Sequence, residues 1–245
     1  MTAREAARLT TGRGLGTVVA AVGRPHLLAV LLLAGALLLI AANAALGLSH
    51  FLTGERQVGA LARAIDFRVE RNLPTVFGSA LLLLASLLLA RVASRRLLAA
   101  GHARRDIGYW VVLAAGFAYL AVDEVARLHD RLLPPLVDGM PIPDALRDEW
   151  VIPALAMVVL VGAAFGPFLR RLPTTTRVLF ALAGLVYVGG AIGGEFVGAL
   201  VYEFAGSGAL SGSTVLAEEG LELLGIVLFI HALLSMPRTA APGSP

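Results

Sequence analysis

The stretch HLLAVLLLAGALLLIAANAALGL, residues 26–48, carries no acidic or basic side chain except a terminal histidine. Its 23 residues exceed the ~20 that an α-helix needs to cross ~30 Å of hydrocarbon. A membrane-spanning β-strand is only ~10 residues long and alternates apolar with polar positions. Because lipid cannot satisfy an open backbone, this run predicts a transmembrane helix.

Five more apolar runs follow the first, and each ends at charged or turn-forming residues. Hydrophobic residues make up 58% of the chain and charged residues only 15%, against about 25% charged in soluble domains. The sequence therefore predicts an all-α polytopic membrane protein, a bundle of six transmembrane helices within residues 26–236. The five further runs are residues 73–90, 109–122, 150–169, 178–202 and 215–236.

The arginines indicate the orientation of this bundle. Thirteen of the 20 lie before the first run, between runs two and three, between runs four and five, or after the sixth. The other side carries fifteen of the 17 acidic residues. Cytoplasmic loops are enriched in basic residues. We therefore expect residues 1–25 to be a cytoplasmic segment, residues 237–245 a cytoplasmic tail, and the plasma membrane to be the location.

Two alternatives concern this topology. Ala42-Asn43-Ala44 resembles a signal-peptide cleavage site, but the apolar core before it exceeds the 7–15 residues typical of such signals, which favours a retained anchor.

The basic pI near 9.9 could suggest nucleic acid, yet the one-sided charge explains it as a topology signal. The expected partner is the lipid bilayer, and no nucleic-acid partner is expected. The chain has no cysteine, which excludes disulfides and thiolate metal sites.

Acidic side chains are concentrated where the third and fifth runs end and the sixth begins. Counting 1.5 Å per residue back from Met236 places Glu222 about 9 Å inside the hydrocarbon boundary. Residues 144–149 are expected to form a short interfacial helix, and Ser211 and Ser213 to lie in a turn before the sixth span. The acids and the neighbouring histidine are Asp123, Glu124, His129, Asp130, Glu195, Glu203, Glu218, Glu219 and Glu222.

Small residues accompany the acids. Gly190, Gly194 and Gly198 form two overlapping GxxxG steps, which favour close helix contact. Gly225 continues the stripe of Glu218 and Glu222 on the sixth span at ~100° per residue. The acids are therefore expected to face a packed interior, where each charge costs up to ~2.5–3.5 kcal/mol without a partner.

A divalent-metal site is the first interpretation of this pattern. Carboxylates with one imidazole suit Mg, Ca, Mn, Fe or Zn. A metal-bound water could then act on a lipid or small molecule from the outer side, with Glu218 or Glu222 as ligand or general base. The expected ligands are Glu124, His129, Glu195, Glu218 and Glu222, with Asp123, Asp130 and Glu219 as secondary candidates.

Two further interpretations remain open. The acids could form structural ion pairs in a non-catalytic subunit, since Asp123 and Arg127 are four residues apart and Arg63, Arg68 and Arg71 lie in the first outer loop. They could instead belong to a proton- or cation-coupled transporter, although such sites usually lie near the midplane on broken helices. The sequence does not identify the metal, the substrate, the reaction or the oligomeric state.

Two motifs carry a resemblance to a known group of proteins. Asp-Glu-x4-His-Asp covers residues 123–130, and Glu-Glu-x-x-Glu covers residues 218–222. This pair resembles one found in uncharacterised bacterial multi-pass membrane proteins. The resemblance implies no activity, and it implies only that the two motifs belong together.

Overall fold

The computed structural model describes residues 26–54, 59–69, 71–98, 104–133, 135, 151–206 and 209–236. Within these ranges the chain is helical and contains no β-strand, which confirms the all-α prediction. The predicted cytoplasmic segments (residues 1–25 and 237–245) and the predicted interfacial helix (residues 144–149) lie outside the described residues.

The helices follow one another in the order of the apolar runs. The fifth run forms two α-helices joined without a break by a π-helical segment. The elements are α1 (Leu27–Thr53), α2 (Ala60–Ile65), α3 (Leu73–Leu98), α4 (Arg104–Ala126), α5 (His129–Leu132), α6 (Val151–Arg171), α7 (Thr174–Val188), the π segment (Gly189–Gly194), α8 (Glu195–Ala205) and α9 (Ala209–Leu234).

Five stretches of the described chain are long and apolar enough to cross a membrane, which makes this a membrane protein by its helices. They are Leu27–Thr53, Leu73–Leu98, Asp106–Ala126, Val151–Arg171 and Thr174–Phe204. Helix α9 is also long, at 26 residues, but it carries three acidic residues, Glu218, Glu219 and Glu222.

Most helices extend beyond the predicted bounds. The predictions stopped at polar residues, whereas a helix continues through the interface, where polar side chains reach water. The predicted turn before the sixth span is wrong for Ser211 and Ser213, because α9 already begins at Ala209. The Ser213 hydroxyl donates a hydrogen bond to the Leu210 carbonyl (2.6 Å), so this polar side chain has a hydrogen-bond partner inside the helix.

Helices α3 and α4 pack as an antiparallel pair. Two serines of α3, seven residues apart, donate hydrogen bonds to carbonyl oxygens of α4. Ser79 reaches Ala121 and Ser86 reaches Ala114, each at 2.7 Å. Hydrogen bonds between membrane helices contribute about 0.6 kcal/mol each, and together they define the register of this pair.

Helix α9 is the central element, in contact with α1, α3, α7, the π segment and α8. Glycines allow its closest contacts. A Cβ on Gly225 would lie 2.7 Å from the Tyr187 backbone nitrogen, and one on Gly194 would lie 2.6 Å from the Glu218 Cβ. The predicted close contact at Gly190, Gly194 and Gly225 is therefore confirmed.

The bundle has two chemically different ends. At the arginine end, α3 and α6 finish and α4 and α7 begin. The fully buried Trp110 there packs edge-on against Phe168 and Phe180. At the opposite end, which we call the acidic end, α4 finishes and α9 begins with its glutamates.

Candidate functional site: carboxylates at the acidic end

Three parts of the chain bring acids to the acidic end. Helix α4 ends three residues after Asp123, the π segment leads directly into Glu195, and α9 carries its three glutamates within its first 14 residues. All five predicted ligands lie at this end of the bundle, although no single helix carries more than two of them.

Asp123 and His129 form a closed pair at the edge of the cluster. The Asp123 Oδ2 lies 2.7 Å from the His129 Nδ1, and the Asp123 Oδ1 accepts a hydrogen bond from the His129 backbone nitrogen at 2.8 Å. Arg127, between them, has a positive φ of 51°, so the chain turns sharply after Ala126 and brings the histidine back over the aspartate. The Asp123 residue is 9% exposed.

The same turn changes the predicted relation between Asp123 and Arg127. A pairing along one helix face assumed that α4 continues through Arg127, but α4 ends at Ala126. The local partner of Asp123 is His129 instead. Asp130 lies in the following short helix α5, and its side chain belongs to the part of the chain that the structure leaves undescribed.

Glu124 points across to α3. A Cβ on Gly78 would lie 3.2 Å from the Glu124 Oε1 and 3.7 Å from a Leu223 methyl group. The absence of a side chain at Gly78 therefore makes room for this carboxylate between α3 and α9. Glu124 is also within electrostatic range of Asp123 and His129, which links the α4 acids to the pair.

The glutamates of α9 are positioned by the glycines of the π segment. The Glu218 side chain passes over Gly194, and the Glu222 backbone nitrogen would lie 3.0 Å from a Cβ on Gly190. Close helix contact at these two points holds both glutamates against the π segment. Glu195, the first residue after that segment, is thereby brought to the same side.

Glu222 is the centre of the cluster electrostatically. The charged groups that act on it are four other glutamates, from α9 itself, α4 and α8: Glu219, Glu124, Glu218 and Glu195. Among the residues that the structure describes, no arginine forms an ion pair with Glu124, Glu219 or Glu222. This part of the site is a concentration of like charges.

Arg68, between α2 and α3, lies near the start of α9. Arg68 forms a two-point ion pair with Asp66, with both nitrogen–oxygen distances 2.9 Å. Its Nη1 would lie 3.7 Å from a Cβ on Gly212, near the start of α9. The loop is attached to the bundle through Asn43, whose amide donates to the Ile65 carbonyl (2.9 Å), and through the buried Phe67. One of the predicted counterions is thus engaged with its own loop.

Over the described ranges, no three acidic or histidine side chains are already arranged to hold a metal ion. The cluster is therefore an electrostatic grouping of the predicted ligands rather than a formed coordination shell.

Sequence reasoning missed two parts of this site. Tyr187 lies within electrostatic range of Glu222, Glu124, Asp123 and Glu219, and a tyrosine in an otherwise apolar run is a signal that could have indicated it. The π segment was also missed. π-Helical turns are rare and occur frequently at functional sites, and the four glycines within six residues were the available signal.

The fold and this site define a class: a polytopic helical membrane protein with a carboxylate cluster at one end of its bundle. Residues 28–236 match the family model described as a domain of unknown function, DUF8692, so the chain belongs to that family. No curated protein and no solved structure matches the chain.

Proposed function

We propose that this protein is a six-span membrane protein, with both termini cytoplasmic, that binds cations in an outward-facing pocket at its acidic end. Helix α9 is the sixth span in this proposal. Its C-terminal part reaches the arginine end, where the Phe229 ring lies 4.6 Å from that of Phe180. The concentration of arginines at that end supports a cytoplasmic location for it.

The observation that carries the proposal is the environment of Glu222. Four glutamates act on it, and no arginine of the described ranges pairs with it. Ionised side chains at membrane depth are expensive unless they have partners. Like charges this close disfavour full ionisation, and within the described ranges Glu124, Glu219 and Glu222 form no ion pair with an arginine. A bound cation or bound protons would supply positive charge to these three side chains.

A divalent metal ion is the first candidate. The oxygen ligands of this candidate are the carboxylates of Glu124, Glu195, Glu218 and Glu222. The Asp123–His129 contact supports His129 as the fifth ligand, because a metal-binding histidine usually donates its second nitrogen to a carboxylate. The His129 Nδ1 lies 2.7 Å from the Asp123 Oδ2, so a metal would be bound through the other ring nitrogen, Nε2. Binding requires the side chains to move together from their present positions.

Such an ion would supply a water nucleophile at the membrane surface. In that role Glu218 or Glu222 would act as general base, and the substrate would be a lipid or small molecule from the outer side.

A second candidate, a proton- or cation-coupled transporter, is favoured by the π segment. Irregular helical turns are frequent at functional sites, and the span Thr174–Phe204 widens to a π-helix at Gly189–Gly194, directly before Glu195. A third candidate is a non-catalytic subunit. The Asp123–His129 pair favours it, because these two side chains already contact each other within the chain.

The test is elemental analysis and thermal unfolding of the detergent-purified protein, with Mg²⁺, Mn²⁺, Ca²⁺ or Zn²⁺ added back. Glu222→Gln is the test variant. Glu203→Gln is the matched control, because Glu203 lies exposed near the end of α8. We expect a near-stoichiometric ion in the parent protein and in the control, and at least a tenfold loss of binding in Glu222→Gln with the fold retained.

Other outcomes separate the candidates. If none of the added ions binds to the parent protein or stabilises it, the divalent-metal candidate is overturned. If proton or cation flux in proteoliposomes is then lost in Glu222→Gln but kept in Glu203→Gln, the transporter is correct. If the parent protein shows neither ion binding nor flux, and the Glu222→Gln variant unfolds, then Glu222 has a structural role.

A further inference from the structure

Two arginines at the arginine end of the bundle stack on aromatic rings. The Arg96 guanidinium lies 5.1 Å from the centre of the Trp110 ring, and the Arg171 guanidinium lies 5.6 Å from the centre of the Tyr109 ring. These two rings are neighbours in the sequence, and both pack against Phe168. A guanidinium that stacks on a ring keeps its N–H donors at its edge, where they can still bind an anion in two-point fashion.

The described part of the chain offers these donors few acceptors. Arg171 pairs with Asp106 at 2.8 Å, and Arg96 is within electrostatic range of the same carboxylate. The partly buried Arg96 side chain forms no hydrogen bond and no ion pair with any described residue. One carboxylate is therefore shared by two guanidinium groups, and it directly engages only one of them.

Trp110 adds a second donor of this kind. Its side chain has no exposed surface, and its Nε1 has no hydrogen-bond partner among the described residues. A buried indole N–H usually has a partner. Two neighbouring donors, the Arg96 guanidinium and the Trp110 N–H, are thus unpaired within the described ranges. An anionic oxygen is the acceptor that suits such a pair of donors.

Further positive charge lies beside this position, at the level of the lipid headgroups. The Arg177 Nη1 lies 3.5 Å from the carbonyl oxygen of Arg170, and no described acid forms an ion pair with either residue. Arg96, Arg170, Arg171 and Arg177 all lie within three residues of an end of a candidate membrane span. The ends of membrane spans lie where the hydrocarbon meets the phospholipid headgroups.

We propose that Arg96 and Arg171 bind the phosphate group of an anionic phospholipid in the leaflet at the arginine end. A phosphate oxygen pair accepts two parallel N–H bonds from one guanidinium. Basic pockets between membrane helices bind anionic headgroups, and the level of these arginines favours a lipid phosphate over a free one. This site lies at the opposite end of the bundle from the cation pocket, so the failure of either proposal leaves the other standing.

The test measures lipid binding to the full chain in dodecyl maltoside by native mass spectrometry. The probes are palmitoyl-oleoyl phosphatidylglycerol and the zwitterionic phosphatidylcholine with the same acyl chains, with inorganic phosphate added as a competitor. Arg96→Gln is the test variant. Arg95→Gln is the matched control, because Arg95 is the exposed neighbouring arginine of α3 and its loss changes the net charge equally.

We expect the parent protein and Arg95→Gln to bind one phosphatidylglycerol at least tenfold more tightly than phosphatidylcholine. In Arg96→Gln, phosphatidylglycerol binding should be at least tenfold weaker with the fold retained. If Arg96→Gln does not fold, Arg96→Lys takes its place and should also weaken binding, because an ammonium lacks the planar fork of a guanidinium.

Three outcomes overturn the proposal. The first is equal binding of the two lipids by the parent protein. The second is an equal loss of phosphatidylglycerol binding in the Arg95 and Arg96 variants, which indicates a general basic surface. The third is displacement of phosphatidylglycerol by inorganic phosphate at equal concentration, which indicates that free phosphate is the ligand.

Discussion

The two ends of the bundle handle charge in opposite ways. At the arginine end, two arginines have partners within the chain: Arg171 lies 2.8 Å from Asp106 and over the Tyr109 ring, and Arg96 lies over Trp110. At the acidic end, Glu222 lies within electrostatic range of glutamates from α4, α8 and α9. The difference teaches that described arginines contact an acid or aromatic rings at one end, whereas none forms an ion pair with Glu222 at the other.

The largest expected effect is at the arginine end. Trp110→Ala removes a side chain with no exposed surface, packed between Phe168 and Phe180. We expect a loss of about 3 kcal/mol in the free energy of unfolding, the low end for a buried aromatic residue, because lipid replaces some of the lost contacts. Denaturant unfolding in detergent measures this. A change below about 1 kcal/mol would mean that the aromatic cluster does not stabilise this end.

The acidic end depends instead on close helix contact. Gly194→Ala places a Cβ 2.6 Å from the Glu218 Cβ, so α9 and the π segment must separate. We expect a loss of about 1–3 kcal/mol, together with weaker cation binding. Gly184→Ala is the control, since a Cβ there meets nothing within 4 Å and should be neutral or slightly stabilising. Equal effects of the two substitutions would contradict the close contact.

The smallest expected losses of stability come from substitutions in two ion pairs, one at each end of the bundle. Asp123→Asn weakens a contact whose side chains are 13% and 29% exposed, and we expect about 1.5 kcal/mol. Asp106→Asn breaks a pair with side chains 30% and 41% exposed, and we expect about 0.5 kcal/mol. Thermal unfolding at low and high salt checks both. The reverse order, or a stronger salt dependence for Asp123→Asn, would show that the acidic-end pair is not the more sheltered one.

Much of this arrangement could be predicted from the sequence. Long apolar runs are sufficient to predict helices in lipid, and glycines four residues apart predicted the contact made by Gly190 and Gly194. The grouping of Glu124 with the α9 glutamates also followed, because helices of known length bring their polar ends to one level. These predictions needed only the length and spacing of residues along each helix.

Other parts depend on interactions between distant residues. The pairing of Asp123 with His129 depends on a left-handed turn at Arg127, a residue type that does not indicate such a turn. The position of Tyr187 depends on how α7 packs against Gly225. The exposure of the middle of α6 could not be predicted either, since Val161 and Gly162 have the same apolar character as residues that pack.

The π segment has a consequence for how this protein could change over time. Each extra residue in a helix turns everything after it by about 100°. Because Gly189–Gly194 holds its residues in wider turns than an α-helix, loss of one residue there could be absorbed locally as α7 and α8 join into a regular helix. The span would still cross the membrane, and Glu195 would keep its direction because the wider turns absorb the change. A single codon deletion within the π segment would thus leave both the bundle and the carboxylate of Glu195 in place.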